Sequence, residues 1–534
     1  MENTRGAQHY PVLLKLQSTH RSECVIRGES VERLTTRQHK IEMQWDDRYE
    51  KYVRKTGLYG LHQIGHIPTD HALISALVER WRQETHTFHF PVGEMTITLQ
   101  DVAVLLGLPI DGKAISSRTD LDWSATVVEL LGKEITPNTF RKKSNVAINI
   151  SWLHANFYCC PKMADEKTVQ QYARAYLLML IGSVLFTDHS GDTIPAIYLP
   201  LIEDFEAAGN LSWGSGALAY LYRELCLATK PKRKQFGGPI LLLQIWSWER
   251  LPMGRPSICP ITEETHLGGE DREKRPPHGY RWCKDRNFSG LVSRKVLEAY
   301  RKEIDHLNDG DVKWNPYENQ MDLLPPICSK NSDLWRTTAP LIHFWIVEMY
   351  NPGRVERQFN CYQVIPPPLC DTMDALHNLK NRSAKDWVKV HHVYLKKWEN
   401  RRKHCLANER PYDISKNDAY KRWFSNASIL YLNDPRGLPD NYSAGKRLRK
   451  IAKGVVETFG DTTDKKTREF LRDLLHEVRA SIEDVRESVG DEEVFAAFDK
   501  NLIEQPARTQ VHNNDAGPSC RPATKRTRRS SSSK

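Results

Sequence analysis

The pattern of apolar and polar positions changes period three times between Asp70 and Gly112. Behind Asp70, a residue type that caps helix N-termini, Leu73, Leu77, Val78 and Trp81 recur at helical spacing and predict a helix over HALISALVERWR. The next stretch, THTFHFPVGEMTITLQDVAVLLGLPIDG (85–112), switches to alternation. Thr87, His89, Met95 and Ile97 interleave with Phe88, Phe90, Thr96 and Thr98, and residues 91–94 (PVGE) supply turn chemistry, which predicts a β-hairpin. Thr98 and Asp101 then form a capping box, so the period returns to helical through Val102, Leu105 and Leu106 and stops at Gly107, before Pro109.

Beyond this point the chain reads mainly as helix. TVQQYARAYLLMLIGSVLF (168–186), SWGSGALAYLYRELCLA (212–228) and PILLLQIWSWERLP (239–252) are predicted buried helices, the last with Pro239 at its first position. A Pro-, Gly- and charge-rich loop spans about 253–280. Ser383 to Asp386 is a second capping box, opening a helix in which Trp387, His391, Tyr394 and Trp398 share one face. Leu471, Leu475, Val478, Ile482, Val485 and Val489 follow a 4-3-4-3-4 spacing, a seam of fewer than three heptads that would pack against a partner helix or the body.

The expected architecture is therefore mainly α. It comprises a weakly ordered lead-in (1–44), one large helical domain with a small β-hairpin element (45–430), a C-terminal helical extension (431–504) and a disordered basic tail (505–534).

Charge sharpens the division. The 534 residues carry +10, of which the segment from Gln505 holds +6, with seven basic residues against Asp515; the body is nearly balanced. Eleven cysteines without a CxxC pair, and with only Cys159 and Cys160 adjacent, give neither a disulfide framework nor a zinc ribbon, which fits a reducing compartment. The longest apolar run, Ala175 to Phe186, is about a dozen residues, short of the roughly 20 that span a bilayer. The first residues lack the apolar stretch of a signal peptide, so a soluble intracellular protein with no membrane partner is expected.

The chemical signals are weak. His89 and Glu94 face each other across the predicted turn and could be an acid/base couple, but a structural pair is the commoner outcome. SWGSGALA lacks the strand and glycine-loop context of a phosphate cradle. GDTIP and GDTTD lack the ligand series of a metallophosphatase, and Walker and kinase signatures are missing. A metal reading of His391, His392 and Cys405 is weaker than that of a core histidine beside a solvated one. No catalytic, metal or cofactor residue is assigned.

Two basic features carry more. Lys525, Arg526, Arg528 and Arg529 form a compact cluster suited to a nuclear import receptor, with Ser530 to Ser533 beside it as sites where phosphorylation would weaken the charge. PKRK (231–234) reads as a surface loop. Lys385, Lys389, Lys396, Lys397, Arg401, Arg402 and Lys403 lie largely off the Trp387 face and are candidate contacts for a partner or for nucleic-acid phosphates.

Taken as blocks, LISALVERWRQETHTFHFPVGEMTITLQDVAVLLGLPIDG, YARAYLLMLIGSVLFTD, YLPLIEDFEAAGNLSWGSGALAYLYRELCLAT, GGPILLLQIWSWERLP and APLIHFWIVEMYNPGRVERQFNCYQVIPPP resemble the plant mobile domain family, over roughly residues 45 to 430. The resemblance implies a mainly helical domain shared by plant transposable elements and host genes. Host members are similar to nuclear proteins that support meristem maintenance, genome integrity and transposon silencing with a serine/threonine phosphatase-like partner. The family's aminotransferase-like label would call for a pyridoxal phosphate site that these residues do not provide. The expectation is a non-enzymatic nuclear interaction scaffold; the alternative is a mobile-element-derived nucleic-acid-binding protein.

Overall fold

A computed structural model describes residues 13–36, 41–189, 191–256, 271–283, 297–367, 376, 385–411 and 418–433. The seam at 471–489 and the tail cluster at 525–529 lie outside these residues, as does Ser383.

The helices among them are α1 (Arg21–Ile26), α2 (Glu50–Lys55), α3 (Tyr59–Ile64), α4 (His71–Val78), α5 (Leu99–Leu106), α6 (Trp123–Leu131), α7 (Ile150–Phe157), α8 (Glu166–Leu180), α9 (Phe205–Gly209), α10 (Trp213–Ala228), α11 (Ile240–Arg250), α12 (Leu297–Asp305), α13 (Trp387–Val390), α14 (His392–Glu399) and α15 (Asp418–Ala427). The fold is mainly α, as its periodicities predict.

The β content exceeds the single predicted hairpin. β1 (Trp81–Arg82), β2 (Thr87–Phe90) and β3 (Gly93–Met95) form an antiparallel three-stranded sheet, with Phe88 opposite both Trp81 and Met95, and His89 opposite Glu94. β4 (Ala147–Asn149) pairs with β5 (Thr193–Pro195), and β6 (Ala339–His343) with β7 (Ile346–Tyr350). Trp81 thus belongs to a strand rather than to the preceding helix, which ends at Val78.

α5 is the centre of the core. All eight of its residues are buried, and α10 and α11 pack against it. It begins as read: Thr98 accepts from the Asp101 N–H, the Asp101 carboxylate accepts from the Thr98 N–H at 2.8 Å, and Gly107 closes the helix in the left-handed conformation at φ 63°. Having no chain end or solvent face to spare, Asp101 also takes up Arg250 of α11 at 2.7 Å and the Tyr317 hydroxyl at 2.7 Å. Gly214 and Gly216 of α10 lie against Val102, Ile110 and Ile115, so SWGSGALA is a helix-packing surface.

α8 does not run straight to Phe186. After Leu180 it becomes a π-helical turn, Ile181–Leu185, closed by the Phe186 N–H on the Ile181 carbonyl at 2.9 Å. The basic helix also differs from its reading. Asp386 caps it by accepting from the Lys389 N–H, and the helix is distorted at His391, between α13 and α14.

Candidate partner-binding site

Gly107, Pro109, Asp111 and Gly112 line a cavity of about 540 Å³, together with Arg54 and Tyr59 of the α2–α3 region, Arg275 and Pro277, and Pro325, Pro326, Ile327 and Lys330. Chain segments meet there at backbone distance. Gly112, at φ 112°, lies against the Asn210 carbonyl so closely that a Cβ would overlap it. Glycine at this position is a packing requirement of the cavity wall.

The lining carries the cations Arg54, Lys55, Arg275 and Lys330, against Asp111 and Glu273. Arg54 stacks on Tyr59 at 3.7 Å from the ring centroid and pairs with Glu50 at 2.7 Å. Lys55 pairs with Glu206 at 2.8 Å. Asp111 is paired by Arg401 and, at 2.6 Å, by Arg402. Burial opposes its charge, yet the two guanidiniums hold its carboxyl below the ordinary value. Arg402 also binds Asp333 and, at 3.0 Å, the Asn331 side chain on the cavity wall.

The predicted basic helix therefore divides. Trp387 and Trp398 are buried, as is His391, and Tyr394 is half-buried, so the aromatic face is the docked one. The Trp387 indole N–H donates to the Thr119 hydroxyl at 3.1 Å and that of Trp398 to the Gly112 carbonyl at 3.0 Å. Arg401 and Arg402 are ion-paired to Asp111 on the cavity wall, Arg401 largely buried against it and Arg402 about half exposed. Lys385 lies over Trp387 and Lys389 pairs with Asp386. Lys396, Lys397 and Lys403 are exposed, with no ion pair among the described residues. The sequence reading missed Arg54, Lys55, Tyr59 and Lys330. They come from separate segments, and only the glycine and proline density of GLPIDG marked the wall that gathers them.

His89 and Glu94 lie in a sealed network. The His89 Nε2 is 3.5 Å from the Glu94 carboxylate and its Nδ1 is 2.6 Å from the Ser428 hydroxyl, a serine–histidine–carboxylate order. Glu94 also accepts from Arg354 at 2.7 Å, from Thr87 at 3.0 Å and from the Tyr420 hydroxyl at 3.1 Å. Burial, only partly offset by Glu94, pulls His89 down to about 4. Burial works against Glu94 ionisation, yet Arg354 and His89 hold it down at about 2. His89, Glu94 and Ser428 are each at most 2 % exposed and line neither of the two cavities described. The network ties the hairpin to α15. His391 is buried, His392 exposed, and no group of three His, Cys, Asp or Glu among the described residues is placed to hold a metal ion. PKRK forms a turn in which Arg233 lies against Glu224 and Lys234 against Glu32.

Fold and site together define a mainly helical protein with a ligand-sized cavity lined by both polar and apolar groups. Residues 57–425 match the plant mobile domain, and the chain belongs to that family. It is 38 % identical over 456 residues to the Arabidopsis thaliana serine/threonine-protein phosphatase 7 long form homolog, covering 82 % of this chain and 34 % of that one. It is 35 % identical to Arabidopsis Protein MAIN-LIKE 1, covering 79 % of each, and 34 % identical to Protein MAINTENANCE OF MERISTEMS, covering 79 % of this chain and 84 % of that relative. The chain thus spans about a third of the phosphatase-named relative. No solved structure matches. No helix among the described residues is long and apolar enough to cross a membrane.

Proposed function

We propose that this chain is a non-enzymatic nuclear protein-interaction scaffold, acting in transcription regulation, transposon silencing, genome maintenance and meristem development with a separate serine/threonine phosphatase-like protein. One observation carries the reading. The homologous region makes up 82 % of this chain but only 34 % of a phosphatase-named relative, so the same domain occurs both within that longer protein and in shorter chains such as MAIN-LIKE 1. A domain joined to a protein in one chain is a natural partner for a similar protein in another. The docking surface is assigned to the cavity lined by Arg54, Lys55, Arg275 and Lys330, of which Arg54 and Lys55 are already paired with Glu50 and Glu206.

Entry to the nucleus is assigned to Lys525, Arg526, Arg528 and Arg529, read by an import receptor. Replacing all four with alanine should leave a fluorescent fusion in the cytoplasm, and unchanged nuclear accumulation would refute that role. A turnover assay of the pure protein on phosphomonoesters and amino-acid/keto-acid pairs should show no activity; saturable turnover would overturn the scaffold reading.

The alternative, direct nucleic-acid binding, is favoured by the exposed Lys396, Lys397 and Lys403. Such binding would act through phosphates, and its affinity would fall steeply with salt. Affinity that is undetectable or independent of salt excludes it.

A further inference from the structure

The π turn at Ile181–Leu185 borders a second cavity, about 230 Å³, whose walls include Ile67, Tyr176, Leu180, Val184 and Leu241. π turns concentrate at functional sites because the inserted residue changes which side chains face inward. Here the turn contributes Ser183. It is 2 % exposed, lines the cavity, and its hydroxyl has no hydrogen-bond partner among the described residues. A buried hydroxyl left unpaired costs about 1–3 kcal/mol, a cost that a ligand acceptor or donor would remove.

His62 supplies a second polar edge. Its ring is stacked on Trp45 with centroids 3.8 Å apart, its Nδ1 is 2.6 Å from the Tyr176 hydroxyl, and the residue lines the cavity. Burial pulls the ring down to about 4, so it is neutral near pH 7. The lining includes no Lys, Arg, Asp or Glu. Apart from His66 at the exposed rim, no lining side chain offers a counter-ion to a charged ligand, so burial there favours a neutral one.

We propose that this cavity binds a small, neutral, ring-sized organic molecule carrying a hydroxyl group, with the ring against Leu180, Val184 and Leu241 and the hydroxyl paired to Ser183. At about 30 Å³ per liquid water, the space of about 230 Å³ corresponds to about eight waters, which admits a ligand of roughly six to ten non-hydrogen atoms. At the efficiencies reached by such small ligands, affinities from about 10 μM to 1 mM are expected.

The test uses the full chain, with p-cresol and toluene as matched probes, followed by calorimetry and ligand-observed NMR. p-Cresol should bind at least about fivefold more tightly than toluene. Ser183→Ala should erase that preference while leaving toluene affinity unchanged, and Ser183→Leu, which narrows the space, should weaken binding of both. The proposal is overturned by absence of p-cresol binding, by equal affinities for the two probes, or by a preference that survives Ser183→Ala. Should Ser183→Leu fail to fold, the alanine variant still decides.

Discussion

Arg250 and Asp101, 149 residues apart, form an ion pair at 2.7 Å in which both side chains are wholly buried. Asp101 is at once the capping residue of α5 and the counter-ion of α11, so one carboxylate fixes where the central helix starts and how its neighbour is oriented. Removing one partner of such a pair leaves a stranded charge and typically costs about 3–5 kcal/mol. Asp101→Ala and Arg250→Ala should each lower stability by that amount in urea unfolding, with a cycle of both showing strong non-additivity.

The cavity wall depends on the close approach at Gly112. Gly112→Ala places a Cβ on the Asn210 carbonyl at a φ of 112°, and overpacking of this kind costs about 1–3 kcal/mol. The same substitution at Gly310, where nothing lies within 4 Å, should fall within about 0.5 kcal/mol of the parent. Thermal unfolding of the two variants checks the contrast.

Asp111 should matter more than either arginine that binds it. Arg402 is about half exposed, so Arg402→Ala should cost no more than about 1 kcal/mol. Asp111→Ala removes the partner of Arg401, whose side chain is only 11 % exposed, and should cost about 1.5–3 kcal/mol. Equal effects in urea titrations would show that the clamp does not hold the wall.

Acid should unfold the protein early. Burial pulls His343 down to about 3 and His89 down to about 4, so the folded chain resists protons that the unfolded chain takes up from about pH 6.5. Their contribution is complete above pH 6.5 and is lost as pH falls towards 4, at roughly 2 kcal/mol per histidine by pH 5. Glu94 acts in the same sense at lower pH, through loss of stability between about 4.5 and 2. Urea midpoints should drop between pH 6.5 and 5, with a shallower drop for His343→Phe.

The same histidines show what the sequence could tell. Alternation located the β2–β3 hairpin, because Phe88 and Phe90 needed one face. It gave no sign that the opposite face, with Thr87 and His89, is also inside, because that depends on α15 closing over it with Ser428. The cap, stop and length of α5 were legible because each is a local backbone requirement. β6–β7 was not identified, since a short apolar run in APLIHFWIVEMY fits helix or strand equally until α10 covers it. Arg401 and Arg402 read as free positive charge because their counter-ions, Asp111 and Asp333, are remote in sequence.

The central claim is that the domain works by holding a protein partner, and the most direct measurement is affinity purification of the tagged full chain from nuclei after nuclease treatment. The account predicts a phosphatase-like protein retained in defined stoichiometry, and reduced by charge reversal at Lys55 and Lys330 on the cavity. Loss of every partner on nuclease digestion, with the chain itself bound to nucleic acid, would contradict it.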